Sequence, residues 1–309
     1  MADTLTDSDA TDTSPEEHLQ HSMALANKVA RAAVSATTSN GSGVRLVYST
    51  KPSWPFASSS SSSSSGSGAL DIAVLDSSFN PPSRAHLALL LSQPILADQK
   101  HCYDGHLLLF STQNADKGAG KPGDASLSQR VEMMTLMAKD VEHIQTASGQ
   151  TANVAEVQPR LHWVVGFDTL YRVFQLKYYP SLQDFQQQCS QFFEREGTTF
   201  VCARRDPSSY PQLASARSQA QDAKEQARQE EDKLLASENV APWVRRGSIG
   251  MLDIDADQAK LSSTTIRALI KDTGVEKQEK RRRLKELVPP SLVEYLVESR
   301  IYRDDHVQG

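Results

Sequence analysis

The chain has 309 residues, of which 39% are hydrophobic and 23% are charged, and its formal net charge is −5. This length accommodates one sizeable α/β domain with an appendage, or two small domains. So mild a negative charge gives no whole-protein attraction to nucleic acid or to an anionic membrane, and no apolar run approaches the roughly 20 residues of a membrane span. Any phosphate site must therefore be local, and we expect neither nucleic acid nor membrane as a partner.

Cysteine is scarce, and its three positions are Cys102, Cys189 and Cys202. So odd and scattered a set forms no disulfide framework, and no C-x-x-C pair is present for zinc, which fits a reducing compartment. Residues 1–17 are acidic, contain no arginine and have no apolar core. These features argue against a mitochondrial transit peptide and a secretory signal, so we expect a cytoplasmic protein, with the nucleus as the alternative.

The first 68 residues are predicted to form an N-terminal extension. Residues 1–15 are rich in Thr, Asp and Ser, a composition typical of disorder. Helical spacing of apolar residues predicts a helix over 16–34, and a short strand is predicted over 44–48. An unbroken serine tract at 58–65, followed by Gly-Ser-Gly, is typical of a flexible linker.

The main domain is predicted to span residues 69–309. Compact apolar runs predict strands at 72–75, 106–110, 161–165, 200–203 and 249–254. Apolar faces at helical spacing predict helices that begin after residue 82 and at 128–139, 169–174, 263–270 and 290–299. A polar insert at about 207–245 contains a charged stretch, 215–236, that is either an exposed helix or disordered. The helix is favoured, because Ala, Gln, Glu, Lys and Arg are strong helix formers.

The alternation of strands and helices predicts an α/β fold. Several strands are apolar on both faces, which indicates a parallel sheet with helices on both faces. In such sheets ligands bind outside the carboxyl ends of the strands. The turns that follow the strands are therefore the places to look for chemistry.

The first such turn covers residues 76–86. Pro81 and Pro82 fix the backbone at the start of the next helix and have no N–H to satisfy. The free N–H groups beyond them favour an anion, and His86, one turn further, is able to contact phosphate oxygens. Taken alone, this pattern is better explained by a helix start whose histidine caps or packs.

The second turn covers residues 260–267, after the last predicted strand. Ser262 or Ser263 suits the N-cap of the next helix, and Arg267 lies one turn in, where its guanidinium can fork onto phosphate oxygens. An ordinary Ser-capped helix with a surface arginine is again the simpler reading of this turn alone. Two such helix starts on one sheet, however, suggest a polyphosphate held between them.

Three stretches carry a family resemblance. Residues 77–87, S-S-F-N-P-P-S-R-A-H-L, resemble the G-S-F-N-P-x-[TH]-x-x-H-L signature of the HxGH-type nucleotidyltransferases, and residues 261–267, L-S-S-T-T-I-R, resemble their I-S-S-T-x-I-R signature. Residues 287–296, L-V-P-P-S-L-V-E-Y-L, resemble the L-V-P-x-x-V-x-x-Y-I stretch that closes the nicotinamide mononucleotide adenylyltransferases. The order and spacing of these three stretches agree with those of the family over residues 69–303. The chain thus resembles that family, in a divergent fungal-type branch.

The resemblance implies a Rossmann-like nucleotidyltransferase fold for residues 69–309 and a reaction. The adenylyl group of ATP would pass to nicotinamide or nicotinate mononucleotide, forming NAD or its deamido form and pyrophosphate. Mg²⁺ would arrive on the ATP phosphates, with no metal ligand from the protein. The partners implied are ATP and a pyridine mononucleotide, and the oligomeric state stays open.

The resemblance also implies roles for individual residues. As catalytic residues it implies His86, Arg267 and Lys117. The implied ATP-binding residues are Ser77, Ser78, Phe79, Asn80, Ser83, His86, Gly166, Asp168, Arg205, Ser262, Ser263, Thr264 and Arg267. The implied acceptor-binding residues are Ser78, Phe79, Lys117 and Tyr178.

Simpler roles stay open for several of these residues. Lys117 lies in a Gly-rich loop and fits a solvated surface lysine equally well. Asp168 suits the cap of the following helix, and Arg205, with Arg204 before it, suits a turn ahead of Asp-Pro. The G-x-G-x-x-G pattern at 118–123 is a weak signal for a dinucleotide site, because its proline opposes an immediate helix.

Two positions depart from the family pattern. Ser77 stands where the first glycine is usual, and a side chain there reduces the clearance for close backbone approach. The family often has a tryptophan, stacked on the pyridine ring, shortly after the helix equivalent to 128–139, but residues 140–144 contain none. Tyr178 or Tyr179 is the candidate for that stacking face, and either suits the core as well.

Three functions are therefore compatible with the sequence. The first is a pyridine mononucleotide adenylyltransferase. The second is an ATPase or an enzyme with another acceptor on the same scaffold, which would release phosphate or pyrophosphate without nicotinamide mononucleotide. The third is a nucleotide-binding interaction protein, which would bind ATP without turnover.

Overall fold

The structure is a computed structural model that describes residues 46–51, 54, 70–93, 103–110, 123–147, 159–204, 220–299 and 301–302, with residues 20, 24, 25 and 28. The serine tract at 58–65, most of the helix predicted at 16–34, Lys117 and Arg205 lie outside the described residues. Of the short strand predicted at 44–48, Tyr48 forms a single β-bridge.

A parallel sheet forms the centre of the fold. Its strands are β1 (Leu70–Ser77), β2 (Gly105–Phe110), β3 (Pro159–Gly166), β4 (Thr199–Arg204) and β5 (Ile249–Asp253). They lie in the order β2-β1-β3-β4-β5, and each neighbouring pair is parallel. The five strands predicted after residue 69 and their parallel arrangement are confirmed. The chain places β2 on one side of β1 and then β3 on the other side, so the switch point where such sheets bind ligands lies beside the end of β1.

Ten helices are described between residues 70 and 302. They are α1 (Arg84–Leu90), α2 (Leu127–Ala147), α3 (Phe167–Val173), α4 (Leu182–Ser190), α5 (Ala220–Ala236), α6 (Ala241–Arg245), α7 (Ala256–Ala259), α8 (Ser263–Lys271), α9 (Lys277–Leu287) and α10 (Leu292–Glu298). A 3₁₀ turn at Leu176–Tyr178 and a π-helical turn at Gln191–Arg195 complete them. None of the described helices is long and apolar enough to cross a membrane.

The helices cover both faces of the sheet, as predicted. On one face the strands pack against apolar residues of α1 and α2, among them Leu90 and Met137. On the other face β3, β4 and β5 pack against α3, α4 and α5. There β1 buries Ile72 and Val74, against which Trp54 of the predicted N-terminal extension packs. Strands β1 and β4 are therefore buried on both sides over most of their length, which is why they read as continuous apolar runs.

Two predicted helices differ from expectation. The helix predicted at 128–139 continues to Ala147, so residues 140–144 lie within α2, where Val141 is buried. The charged stretch at 215–236 is helical from Ala220. It was expected to be exposed, but its Ala227 and Leu234, two turns apart, lie in the core beside the strands. These few apolar residues were not recognised as a buried face because the rest of the stretch is polar.

The C-terminal helices form a separate apolar cluster beside the sheet. Apolar residues of α8, α9 and α10 pack against Met133 and Leu136 of α2. Ile301 and Tyr302, just beyond α10, are buried in the same cluster. This packing fixes α8, the helix of the second motif, relative to α2.

Candidate functional site

The loop between β1 and α1 carries the first motif. Phe79 is fully buried at 0% exposure and packs in the core with Leu87 and Leu90. Its φ of 45° is left-handed, a conformation that costs a bulky residue about 1–3 kcal/mol and persists only when the surroundings hold it. The Asn80–Pro81 peptide is cis. The side chain of Phe79 thus anchors the loop, while Ser78 is exposed at its surface.

His86 is held by hydrogen bonds to both of its ring nitrogens. The backbone N–H of Ser83, the N-cap of α1, donates to Nδ1 at 3.0 Å, and the Ser83 hydroxyl lies 2.8 Å from the same atom. An N–H can only donate, so Nδ1 is the acceptor and we assign the ring proton to Nε2. Nε2 lies 3.0 Å from the hydroxyl oxygen of Ser77, to which its N–H donates.

The second motif lies directly against the first. Ser262 caps α8, with its Oγ accepting from the N–H of Thr265 at 3.1 Å. Ser263 Oγ donates to the carbonyl of Pro81 at 2.8 Å. Arg267 Nη1 donates to the carbonyl of Asn80 at 2.6 Å. The structure therefore brings together the two helix starts that sequence reasoning had placed on either side of a polyphosphate.

Exposed donors surround this junction. The residues Ser262 and Thr264 are exposed, and Arg267 is half-buried. Arg267 Nη2 lies 3.2 Å from Thr264 Oγ1, which holds the plane of the guanidinium beside the start of α8. Guanidinium and hydroxyl groups are suited to oxygen-rich anions such as phosphate.

The side chain of Asn80 forms hydrogen bonds within the protein. Its Oδ1 accepts from the N–H of Ala125 at 3.1 Å and from the hydroxyl of Tyr302 at 2.8 Å. The residue is only 6% exposed. Sequence reasoning assigned Asn80 to ATP and did not find Tyr302, because this contact joins residues 222 positions apart and leaves no local pattern.

A cleft opens next to His86 at the carboxyl ends of the strands. Its empty space of about 300 Å³ includes open solvent, and its lining comprises Ala85, His86, Leu89, Gly166, Ala203, Ile254, Gln258 and Ala259. Gly166 ends β3, and Ile254 follows β5 directly. The predicted Gly166 therefore shares a cleft with His86, at the edge of the sheet where ligands are expected.

Asp168 and Arg204 lie near these strand ends and are paired with other residues. Asp168 is in the first turn of α3, 3.7 Å from Arg172. Arg204 ends β4 in an ion pair with Glu231 of α5 at 2.9 Å, and its Nη1 lies 3.3 Å from Asp253. Burial raises the pKa of Glu231, although the guanidinium of Arg204 opposes the shift.

The two tyrosines considered for ring stacking have different environments. The hydroxyl of Tyr179 donates to the carbonyl of Val173 at 2.7 Å, and its ring packs edge-on against Phe185, so Tyr179 belongs to the core. Tyr178 is 41% exposed in the 3₁₀ turn, with Lys177 Nζ 4.9 Å from its ring centre. Tyr178 is not among the residues that line the His86 cleft.

The described residues contain no group of three or more His, Cys, Asp or Glu side chains placed to hold a metal ion. The donors at the junction of the two motifs are histidine, arginine, serine and threonine. This set fits an anion.

No family model matches the chain. A curated Schizosaccharomyces pombe protein, named "Putative nicotinamide mononucleotide adenylyltransferase", is 38% identical over 150 residues. These residues are 41% of this chain and 55% of that protein, so the match spans about half the length of the curated relative.

Two solved structures of Plasmodium falciparum nicotinic acid mononucleotide adenylyltransferase, one complexed with NaAD and one with APC, also resemble the chain. They cover 75% of it and 97% and 96% of their own chains, with identities of 11% and 10% and TM-scores of 0.38 and 0.36. Likeness at this level bears on neither fold nor function. The chain is thus similar to that S. pombe protein over part of both lengths, and its three motifs resemble signatures of the nicotinamide mononucleotide adenylyltransferases.

Proposed function

We propose that this protein transfers the adenylyl group of ATP to nicotinamide or nicotinate mononucleotide, forming NAD or its deamido form and pyrophosphate. The observation that carries the proposal is the junction of the two motifs, where Ser263 contacts Pro81 at 2.8 Å and Arg267 contacts Asn80 at 2.6 Å. The name of the 38% identical S. pombe relative supports the same reaction. The proposed location is the cytoplasm, with the nucleus as the alternative.

The proposed reaction needs no nucleophilic side chain. An oxygen of the acceptor's 5′-phosphate attacks the α-phosphorus of ATP, a new P–O bond forms, and the bond to the β-phosphate breaks as pyrophosphate leaves. In such transfers the protein positions the two substrates in line and neutralises the charge that develops on the phosphate oxygens. The hydrogen-bond donors at the junction of the two motifs are suited to neutralising this charge.

His86 would supply one of these donors at the α-phosphate. Ser83 occupies Nδ1, so the donor that His86 presents is Nε2–H, which is directed at Ser77 in the structure. A phosphate oxygen of ATP would replace the Ser77 hydroxyl as the acceptor. The bonds from Ser83 fix the ring before the substrate arrives, so less reorganisation is needed during the reaction.

Arg267 and the hydroxyls at the start of α8 would hold the departing phosphates. A guanidinium has five donors, so Arg267 can keep its bond to the Asn80 carbonyl and still contact phosphate oxygens. Ser262 and Thr264 are exposed beside it. Mg²⁺ would be bound by the phosphates and water, and when bound it would neutralise charge on the transferring group.

Glycine and small residues leave room for the nucleotide next to His86. Gly166 and Ala203 have little or no side chain at the floor of the cleft, between β3 and β4. We propose that the adenosine of ATP lies there, with its phosphates toward the start of α8. As residues that contact the acceptor we propose Ser78 and Tyr178, both of which are exposed.

The test is a direct assay of the full chain. Purified protein is incubated with ATP, Mg²⁺ and either nicotinamide or nicotinate mononucleotide, and dinucleotide and pyrophosphate are quantified by chromatography. Equal amounts of both products support the proposal, and the better acceptor identifies the substrate. Phosphate release without a mononucleotide would indicate an ATPase, and ATP binding without any turnover would indicate an interaction protein.

A further inference from the structure

Tyr302 connects the C-terminal segment of the chain to the loop of the first motif. It lies four positions beyond the end of α10 and is only 4% exposed, inside the cluster formed by α2, α8, α9 and α10. Its hydroxyl donates to Asn80 Oδ1 at 2.8 Å, in a fully buried contact. The hydroxyl therefore reaches out of an apolar cluster to the residue that precedes Pro81.

Asn80 joins three segments that are far apart in the sequence. Its Oδ1 accepts from Tyr302 and from the N–H of Ala125, just before α2, while its carbonyl accepts from Arg267 of α8. The orientation of the Asn80 side chain and that of its carbonyl are linked through the same backbone. Asn80 therefore links the Tyr302 hydroxyl to the carbonyl that accepts from the guanidinium of Arg267.

Both ends of the contact include left-handed backbone. Phe79, next to Asn80, has a φ of 45°, and Tyr302 itself has a φ of 66°. Residues with side chains adopt this region at a conformational cost, and the surrounding contacts must hold them there. The Tyr302–Asn80 hydrogen bond is one of the contacts that hold the loop.

The environment of the hydroxyl keeps it a donor. Burial raises the pKa of Tyr302, and the nearby guanidinium groups of Arg267 and Arg130 only partly offset the shift. The hydroxyl thus stays protonated throughout the neutral pH range. Asn80 Oδ1 can only accept, so this donor is matched to its partner.

We propose that Tyr302 is a positioning residue for the phosphate site: through Asn80 it sets the orientation of the loop carbonyls to which Ser263 and Arg267 are bound. The inference rests on the proposed function, whose site it extends to the C-terminal segment. Tyr302 touches no substrate. It acts on the relative placement of the two motifs, on which in-line geometry depends.

Tyr295 provides a matched control for Tyr302. It lies in α10, is also 4% exposed in the same cluster, and its hydroxyl donates to Glu132 of α2. Tyr302→Phe and Tyr295→Phe therefore each remove one buried hydroxyl from the same cluster. Only Tyr302→Phe removes a bond to the loop of the first motif.

The two variants are compared in the full chain by kcat, KM for ATP and melting temperature. We expect Tyr302→Phe to lower kcat by roughly tenfold to a hundredfold, the scale of misplaced reacting groups, and Tyr295→Phe to change kcat less than about twofold. Both variants are expected to melt at similar temperatures. Equal kcat values for the two variants would overturn the proposal.

A double-mutant cycle separates positioning from a general loss of packing. If Tyr302 acts through Asn80, then Tyr302→Phe has no further effect on kcat in an Asn80→Ala background. Additive losses in the double variant would show that Tyr302 only stabilises the cluster, and would refute the positioning role.

The binding of a non-hydrolysable ATP analogue, measured by calorimetry, distinguishes failure of this inference from failure of the proposed function. Should wild-type protein form no dinucleotide, a lower affinity of Tyr302→Phe than of Tyr295→Phe for the analogue would still support the positioning role. Equal affinities would refute it. Wild-type protein that binds no analogue would refute both proposals.

Discussion

Ser263 donates its hydroxyl to the backbone carbonyl of Pro81 at 2.8 Å, across 182 positions of sequence. This bond closes the gap between the loop after β1 and the start of α8, which are the two regions that carry the family motifs. A second bond, from Arg267 to Asn80 at 2.6 Å, fixes the same junction. Because backbone carbonyls are the acceptors, the guanidinium and hydroxyl groups are oriented without a carboxylate that would repel phosphate.

His86→Ala is expected to leave the fold intact and to lower dinucleotide formation about a hundredfold or more, the scale of losing one donor that stabilises charge. The physical reason is the loss of the Nε2–H that Ser83 holds in place through Nδ1. Turnover is measured with saturating ATP and mononucleotide, and folding by circular dichroism. His143→Ala, at an exposed position of α2, is the control. Near-normal turnover in His86→Ala would remove this residue from the mechanism.

Ser77→Ala is expected to strengthen the binding of ATP. The Ser77 hydroxyl accepts the N–H of His86 at 3.0 Å in the structure, so a phosphate oxygen has to displace it. Removal of one competing hydrogen bond corresponds to roughly a twofold to tenfold lower KM for ATP. Steady-state kinetics with varied ATP measure the change. A higher KM would instead show that Ser77 orients the imidazole for the substrate.

The sheet and the motifs were predictable because both leave local patterns. Residues 72–75 form an unbroken apolar run, and the strand found there is buried on both faces. The motif positions around His86 and Arg267 were found from their resemblance to family signatures, and the structure places them at one junction. The resemblance implied that Phe79 binds ATP and the acceptor. In the structure its side chain is buried among apolar residues of α1, a contact that depends on the folded chain.

Helices α9 and α4 could not be predicted because each buries too few apolar side chains to leave a pattern in the sequence. Helix α9 has the sequence K-Q-E-K-R-R-R-L-K-E-L, and only Leu284 among its residues is fully buried, so it has no apolar face of helical width. Helix α4 buries only Phe185 and Cys189, one turn apart. The contact between Tyr302 and Asn80 depends on tertiary placement alone, and no periodicity along the chain indicates it.

Cys189 is expected to resist alkylation in the folded protein. Burial raises the pKa of its thiol to about 11, so at pH 8 roughly one molecule in a thousand carries the reactive thiolate. Iodoacetamide labelling at pH 8, followed by peptide mass mapping, measures the modified fraction at Cys189. The same protein in concentrated urea is the control and is expected to react fully. Rapid labelling of Cys189 under native conditions would contradict its burial against the sheet.

Glu231→Gln is expected to loosen the polar insert from the sheet. Glu231 of α5 is 6% exposed and pairs with Arg204 at 2.9 Å, where β4 ends, so its loss removes an ion pair at the base of the insert. We expect a decrease of about 1 kcal/mol in the free energy of unfolding, measured with urea, because burial of the Glu231 carboxylate offsets part of the ion pair and the half-buried Arg204 keeps Asp253. Glu230→Gln, which removes the adjacent exposed pair with Lys233, is the control and is expected to change stability by less than about 0.5 kcal/mol. Equal effects of the two substitutions would mean that α5 is held by its apolar stripe alone.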